Sequence, residues 1–200
     1  MTEKEEFVRK GYNKIAKEYQ ANRHIFKNSK ELEEFASSLS ENAKILDVGC
    51  GAGVPVTKFL VECGFDVTGV DFSEGMLKLA RKNVSRAKFI KKDMTKMDFK
   101  DDSFDGLTAF SVFHVPKEKH FSLFKSFSRI LKDQGIMMIC IGGDEWEGTA
   151  EYFGTEMFWS HYSSEKSLKL VKDAGFQIIW DKHLVRGGEE QYWILARNKK

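Results

Sequence analysis

Two hundred residues, 42% hydrophobic and 31% charged, describe an ordinary soluble chain with room for one substantial core. A net charge of +2 gives no general attraction to nucleic acid, and the longest apolar run, Ile136 to Ile141, is too short to span a bilayer. The charged start Met-Thr-Glu-Lys-Glu-Glu is no secretory signal, and Cys50, Cys63 and Cys140 form no C-x-x-C pair, which argues against a disulfide framework or a metal site and for a reducing cytoplasm.

Residues 3 to 20 carry Phe7, Val8, Tyr12, Ile15, Ala16 and Tyr19 at three- and four-residue steps, the pattern of an amphipathic helix. Asn28 or Ser29 is a candidate N-cap for a second helix with Leu32, Phe35, Ala36 and Leu39 on one face. The apolar run from Lys44 to Val48 then breaks into Gly49-Cys50-Gly51-Ala52-Gly53, which reads as a buried strand, a glycine turn and a following helix. Glycine admits positive φ and lets a ligand approach the backbone, and the N–H groups opening the next helix are expected to face that ligand. A second apolar run ends at Asp71, twenty residues after Gly51, where a carboxylate is placed to accept hydrogen bonds from a ribose.

Spacing separates two families that share this description. The dinucleotide fingerprint Gly-x-Gly-x-x-Gly requires a third glycine, and Val56 stands there. The sequence Asp-x-Gly-x-Gly-x-Gly from Asp47 to Gly53 instead resembles motif I of the class I S-adenosylmethionine-dependent methyltransferases, and the resemblance extends over residues 10 to 197. It is similar to the small-molecule branch that includes ubiquinone-biosynthesis methyltransferases. The resemblance implies an α/β, Rossmann-like fold: a seven-stranded, mostly parallel sheet flanked by helices and closed by an antiparallel C-terminal hairpin, in a single domain of residues 1–200. It also implies S-adenosylmethionine as cofactor, with S-adenosylhomocysteine as product. Asp47, Gly49, Cys50, Gly51 and Gly53 would then surround the methionine moiety, and Asp71 would hold the ribose. Tyr12-Asn13-Lys14-Ile15-Ala16 and Tyr19 look like the segment that caps the cofactor in many small-molecule members, so residues 1–40 are expected to form a helical cap.

Ser73 is a candidate N-cap for a helix through Met76, Leu77, Leu79 and Ala80. Phe72 and Met76 offer apolar, polarisable surface to an adenine, although Met76 equally suits the core. A strand from Ala87 to Lys92 ends at Asp93-Met94, which match the positions that receive the adenine in the resembling family. Nine Lys or Arg residues lie between Lys78 and Lys100 with no interleaved aromatic platform, so they read as a solvated face rather than a nucleic-acid patch. Phe104 to Phe110 form the next strand, and Ser111 to Pro116 follow at its carboxyl end, where open parallel sheets bind ligands. Phe110, Ser111 and His114 are therefore candidate pocket residues, His114 either as a general base or as a structural histidine. A helix from Glu118 to Leu131 carries an apolar stripe of Phe121, Phe124, Phe127 and Leu131, assigned to the core. The turn Asp133-Gln134-Gly135 then leads into a strand from Ile136 to Ile141.

Residues 143–162 are the least generic stretch. They hold six aromatics (Trp146, Tyr152, Phe153, Phe158, Trp159 and Tyr162) and five acids, with no Lys or Arg, and read as an aromatic, acidic lid insertion. Such a lid suits an apolar, aromatic or cationic small molecule and repels phosphate backbones. Met157 to Tyr162 resemble a Met-Tyr-Trp-Ser-His-Phe segment of small-molecule members, which makes His161 and Tyr162 the expected acceptor-side pair. His161 is the first candidate base and His114 the second. A helix from Ser163 or Ser164 to Gly175 and a hairpin around Arg186-Gly187-Gly188-Glu189 complete the chain. The function expected is methyl transfer to a small molecule, with a cofactor- or partner-binding module without turnover as the alternative. The Asn/Asp-Pro-Pro-Tyr signature for exocyclic amines of bases or glutamine is absent, so a nucleic-acid or protein-glutamine acceptor is not expected, and with no long apolar run neither is a membrane partner. The oligomeric state is left open by the sequence.

Overall fold

Five apolar runs build the parallel part of one sheet in a computed structural model that describes residues 2–22, 29–186 and 188–200. They are β1 (Lys44–Val48), β2 (Asp66–Asp71), β3 (Lys88–Lys91), β4 (Phe104–Ala109) and β5 (Leu131–Gly142). The antiparallel pair β8 (Phe176–Arg186) and β9 (Glu189–Asn198) extends the sheet, giving the order β3-β2-β1-β4-β5-β9-β8. From β1 the chain winds outward through β2 and β3, then returns to place β4 on the other side. The strand order therefore reverses between β1 and β4, and a crevice opens beyond their carboxyl ends.

Alternation of side chains divides the core between the two faces of the sheet. Leu46, Val48, Leu107, Met137, Ile139 and Ile194 face α5 (His120–Ile130) and α6 (Ser164–Asp173). Ile45, Val67, Met138, Cys140 and Leu195 face α2 (Ser29–Ser37) and α3 (Val56–Glu62). In α5 the buried face is His120, Leu123, Phe124, Phe127 and Ile130, one helical stripe that leaves Phe121, expected in the core, 42% exposed on the opposite side. Phe7 of α1 (Glu3–Asn22) is likewise exposed, because the helix buries Val8, Gly11 and Ile15.

Two helix starts follow their sequence signals. Ser73 caps α4 (Glu74–Asn83) by accepting from the Met76 N–H at 3.2 Å, and Ser163 caps α6 by accepting from Lys166 N–H. Asn28 and Gly187 lie outside the described residues. The segment expected only as a lid forms a separate two-stranded hairpin, β6 (Trp146–Tyr152) and β7 (Thr155–His161). Its turn puts Phe153 and Gly154 at φ 48° and 67°, the backbone of a type I′ turn. An aromatic residue at that first position is not a turn signal, which is why periodicity alone did not reveal the hairpin. The turn expected at Asp133-Gln134-Gly135 is absorbed into β5 as a register irregularity, with Gln134 at φ 62°. Among the described residues no helix is long and apolar enough to cross a membrane.

Helix α1 lies across the crevice and is pinned at both ends. Asn13 Oδ1 accepts from the Ser73 hydroxyl at 2.7 Å and the Gly75 N–H at 3.0 Å, docking α1 on the start of α4. Asn83, at the end of α4, donates to Gln20 and to the Ala52 carbonyl. On the other side Gly11 leaves room for Met157 of β7: a Cβ there would stand 2.5 Å from the Met157 sulfur. Lys4 pairs with Glu147 of β6 at 2.9 Å. Removing the shared acceptor with Asn13→Ala is expected to cost about 1–3 kcal/mol, since the Ser73 hydroxyl and Gly75 N–H lose their partner. A urea midpoint would measure the loss, and faster amide exchange at Gly75 would place it at this junction.

Candidate functional site

The crevice floor is the turn after β1. Asp47 is buried and accepts the Thr57 hydroxyl at 2.5 Å and the Thr108 hydroxyl at 2.9 Å, so one carboxylate joins β1, α3 and β4. Past it, Gly49 and Cys50 N–H both donate to the Val70 carbonyl, Gly51 N–H donates to Asp71 at 3.0 Å, and Gly53 N–H donates to the Cys50 carbonyl. These amides are therefore used inside the turn. What the turn supplies is space. With Gly49 at φ 69°, a Cβ would sit 2.0 Å from Ser111 Oγ, whereas a Cβ on Gly51 would meet nothing nearer than a Tyr19 ring carbon at 3.8 Å. Gly53 faces away from the crevice, where a Cβ would press on Ala80 and Val84 of α4 at 3.2 to 3.4 Å.

One cavity above this floor brings together Tyr12, Tyr19, Asp47, Gly49, Cys50, Gly51, Asp71, Phe72, Met76, Asp93, Met94, Phe110, Ser111 and His114. Asp71, at the end of β2, accepts from Gly51 N–H and from Ser73 N–H at 2.8 Å. Burial pushes its pKa up to about 6, against the pull of those two backbone donors. Asp93, after β3, uses Oδ1 for the Thr95 N–H and hydroxyl, and its buried Oδ2 has no protein partner. Ser111 Oγ is also buried and unpartnered. A buried polar atom left unmatched costs about 1–3 kcal/mol, which marks these two as places for ligand atoms. Burial raises the Cys50 thiol, with Asp71 and Asp47 adding to the effect, so this thiol stays protonated.

His114 sits in the loop after β4 and is 5% exposed. Its Nδ1 lies 2.7 Å from the Phe158 carbonyl, which can only accept, so Nδ1 carries the proton. Nε2 then accepts the Tyr12 hydroxyl at 2.7 Å. Burial depresses its pKa to about 4, and the imidazole is neutral at physiological pH. His114 thus links α1, the β4 loop and β7, with both nitrogens engaged.

The expected acceptor-side pair is not presented to the cavity. Pairing of His161 with Trp146 sets it at the base of the hairpin, its ring against Gly142, where a Cβ would fall 2.1 to 2.4 Å from ring atoms. Tyr162 lies outside the cavity, with the Lys117 and Lys166 ammonium groups 5.4 and 5.7 Å from its ring centroid. From the hairpin, Tyr152 and Trp159 line the cavity instead. Trp159 is opposite Gly148, and its ring stacks on Phe113 at 5.0 Å. Lining residues that the sequence reading missed include Glu5, Val8, Phe113, Arg186, Gln191 and Trp193. Glu5 and Val8 share the helical face of Tyr12, a spacing that could have found them; the three from the β8–β9 hairpin carry no local signal. Among the described residues, no group of three or more His, Cys, Asp or Glu side chains could hold a metal ion.

Residues 45–135 match a family model described as a methyltransferase domain. The chain is 30% identical over 161 residues to a Bacillus subtilis (strain 168) protein provisionally named methyltransferase YqeM, covering 72% of this chain and 64% of that one. Cycloartenol-C-24-methyltransferase 1 of Oryza sativa subsp. japonica is 28% identical, over 76% of this chain and 48% of the relative. The chain therefore spans about half of one of these relatives and just under two thirds of the other. A Burkholderia thailandensis 1,6-didemethyltoxoflavin-N1-methyltransferase, solved with 1,6-didemethyltoxoflavin and S-adenosylhomocysteine bound, shares the fold at TM-score 0.72 and 18% identity, over 97% of this chain and 88% of that one.

Two titrations test the electrostatics of the site. The His114 imidazole is expected to remain in its neutral Nδ1–H form in nitrogen-detected NMR spectra until the pH approaches 4. His120, buried against the Val115 carbonyl, is depressed to about 4 for the same reason. Both fold with fewer protons bound than they carry unfolded. Their contribution to stability is present above pH 6.5 and is lost as pH falls toward 4. Asp71 opposes this: its contribution is complete below 3.8 and disappears as pH rises through about 6. Two histidines outweigh one aspartate, so the urea midpoint should fall between pH 7 and pH 4.5; a midpoint that rises would contradict the buried neutral imidazoles.

Proposed function

We propose that this chain, a class I S-adenosylmethionine-dependent methyltransferase by fold and domain match, transfers a methyl group from S-adenosylmethionine to a small-molecule acceptor. We take residues 1–200 as one such domain, and place it in a reducing cytoplasm on its free cysteines. The observation that carries the reading is the pair of acids at the ends of neighbouring strands β2 and β3, Asp71 and Asp93, both opening into one cavity beneath Tyr12 and Tyr19.

The residues present fit the cofactor. Asp71, braced by two backbone N–H groups, is set to accept from ribose hydroxyls, and the unpartnered Asp93 Oδ2 from the adenine amino group. Phe72, Met76 and Met94 supply apolar surface for the base, and the side-chain-free backbone at Gly49 and Gly51 leaves space for the methionine part. S-adenosylmethionine brings a methyl group already activated on a sulfonium. The work left to the protein is alignment and exclusion of water, which α1 and the hairpin supply by roofing the crevice. His114 is a positioning residue in this scheme: it holds the Tyr12 hydroxyl in place at the cavity wall. The names of relatives point to apolar or heteroaromatic acceptors, cycloartenol in one and 1,6-didemethyltoxoflavin in another. The aromatic acceptor half here, with Phe110 against Trp193 at 4.7 Å and Phe113 against Trp159, accords with that chemistry.

Calorimetric titration with S-adenosylhomocysteine and with NAD tests the reading. S-adenosylhomocysteine should bind, Asp71→Ala should weaken it at least tenfold, and NAD should not compete. Because the ribose is held by the ionised carboxylate, and Asp71 titrates near 6, affinity at pH 5 should be about tenfold weaker than at pH 7.5. NAD binding without the adenosyl ligand would overturn the assignment.

A further inference from the structure

Five aromatic rings of the cavity wall close into a circuit. Tyr12 meets Tyr19 at 5.6 Å, Tyr19 meets Tyr152 at 6.2 Å, and Tyr152 meets Trp159 at 5.5 Å. Trp159 meets His114 at 4.5 Å, and His114 returns to Tyr12 at 5.2 Å. Three of the five junctions are edge-on, and all five residues line the same cavity. If the five centroids were coplanar, the middle of a circuit with such sides would lie about 5 Å from each, within the ~6 Å reach of a cation–π contact. Two rings come from α1, two from the β6–β7 hairpin and one from the loop after β4. The circuit is complete only with helix and hairpin both seated.

The surrounding charges favour a cation in that space. Asp71 and Asp93 line the same cavity, while its two cationic side chains are already paired, Lys92 with Asp98 and Arg186 with Glu31. The circuit also offers no proton acceptor, because His114 has given one nitrogen to the Phe158 carbonyl and the other to the Tyr12 hydroxyl. The rings therefore add no base of their own, and their faces serve a nucleophile that reacts through a free lone pair and becomes positively charged.

We infer that this circuit of Tyr12, Tyr19, Tyr152, Trp159 and His114 is a cage for a positively charged nitrogen, and that the acceptor is an amine methylated to an ammonium inside it. The inference rests on the methyltransferase reading for the transfer itself. The acceptor reacts as its free base, its ammonium proton having been left in bulk water; its lone pair forms the new N–C bond as the C–S bonding pair withdraws onto sulfur, and positive charge passes from sulfur to nitrogen.

Choline and its neutral carbon isostere, 3,3-dimethylbutan-1-ol, differ in charge at nearly constant shape, and both can be titrated calorimetrically into the protein with and without saturating S-adenosylhomocysteine. Choline is expected to bind at least tenfold more tightly than the isostere. Trp159→Leu should abolish that preference, and Trp159→Phe, which keeps a π face, should retain most of it; Tyr152→Leu provides a second lesion on the hairpin. Equal binding of the two probes, or a preference that survives both leucine variants, overturns the cage. If S-adenosylhomocysteine fails to bind while choline is still preferred, the cofactor reading falls and the cage stands. If S-adenosylhomocysteine binds normally and choline is not preferred, the cage alone falls.

Discussion

The contact on which the rest of the site depends is the buried carboxylate of Asp47 between the hydroxyls of Thr57 and Thr108. An acid taken out of water is costly unless its oxygens are matched, so the three segments that match them have little freedom to separate. Those segments are the end of β1, the start of α3 and the end of β4, the strands on either side of the point where the sheet order reverses. With them fixed, Ser111 comes so close to Gly49 that no side chain fits there. The cavity floor is therefore a backbone surface, and its openness follows from how tightly the strand ends are tied.

The roof is assembled differently. Helix α1 and the β6–β7 hairpin share contacts of several kinds: Met157 over Gly11, Lys4 with Glu147, and the chain from Tyr12 through His114 to the Phe158 carbonyl. The last is directional, since a carbonyl at one end decides which imidazole nitrogen carries the proton and so where the tyrosine hydroxyl must point. A change in the backbone of β7 is thus felt at the oxygen of Tyr12 on the facing helix.

What was legible in the sequence was local. A strand that must end in a glycine turn, an acid at the end of the next strand, and a serine before a helical stripe each write their geometry into adjacent residues, and Asp71, Asp93 and Ser73 are found where those patterns placed them. The use of the Gly49 and Cys50 amides was not legible, because their acceptor is the Val70 carbonyl, supplied by another strand. His161 and Tyr162 were chosen for chemistry and for likeness to a short segment, yet pairing register decides which residues of β7 reach the cavity: Trp159 does, and His161 ends over Gly142. Arg186, Gln191 and Trp193 arrive through sheet topology alone. Residue type says what a side chain can do; only long-range pairing says where it does it.

The hairpin turn has a consequence for how the structure holds together. Phe153 is held at φ 48°, a conformation that costs a bulky residue on the order of 1–3 kcal/mol, and its ring rests on Tyr152 at 4.7 Å and on Tyr19 of α1 at 6.3 Å. A two-stranded hairpin with a strained tip is not self-sustaining in water. It persists because a helix from the opposite end of the chain lies against it. Helix and hairpin are in this sense a single unit of very high contact order, whose two halves stay in place only while the sheet holds them together.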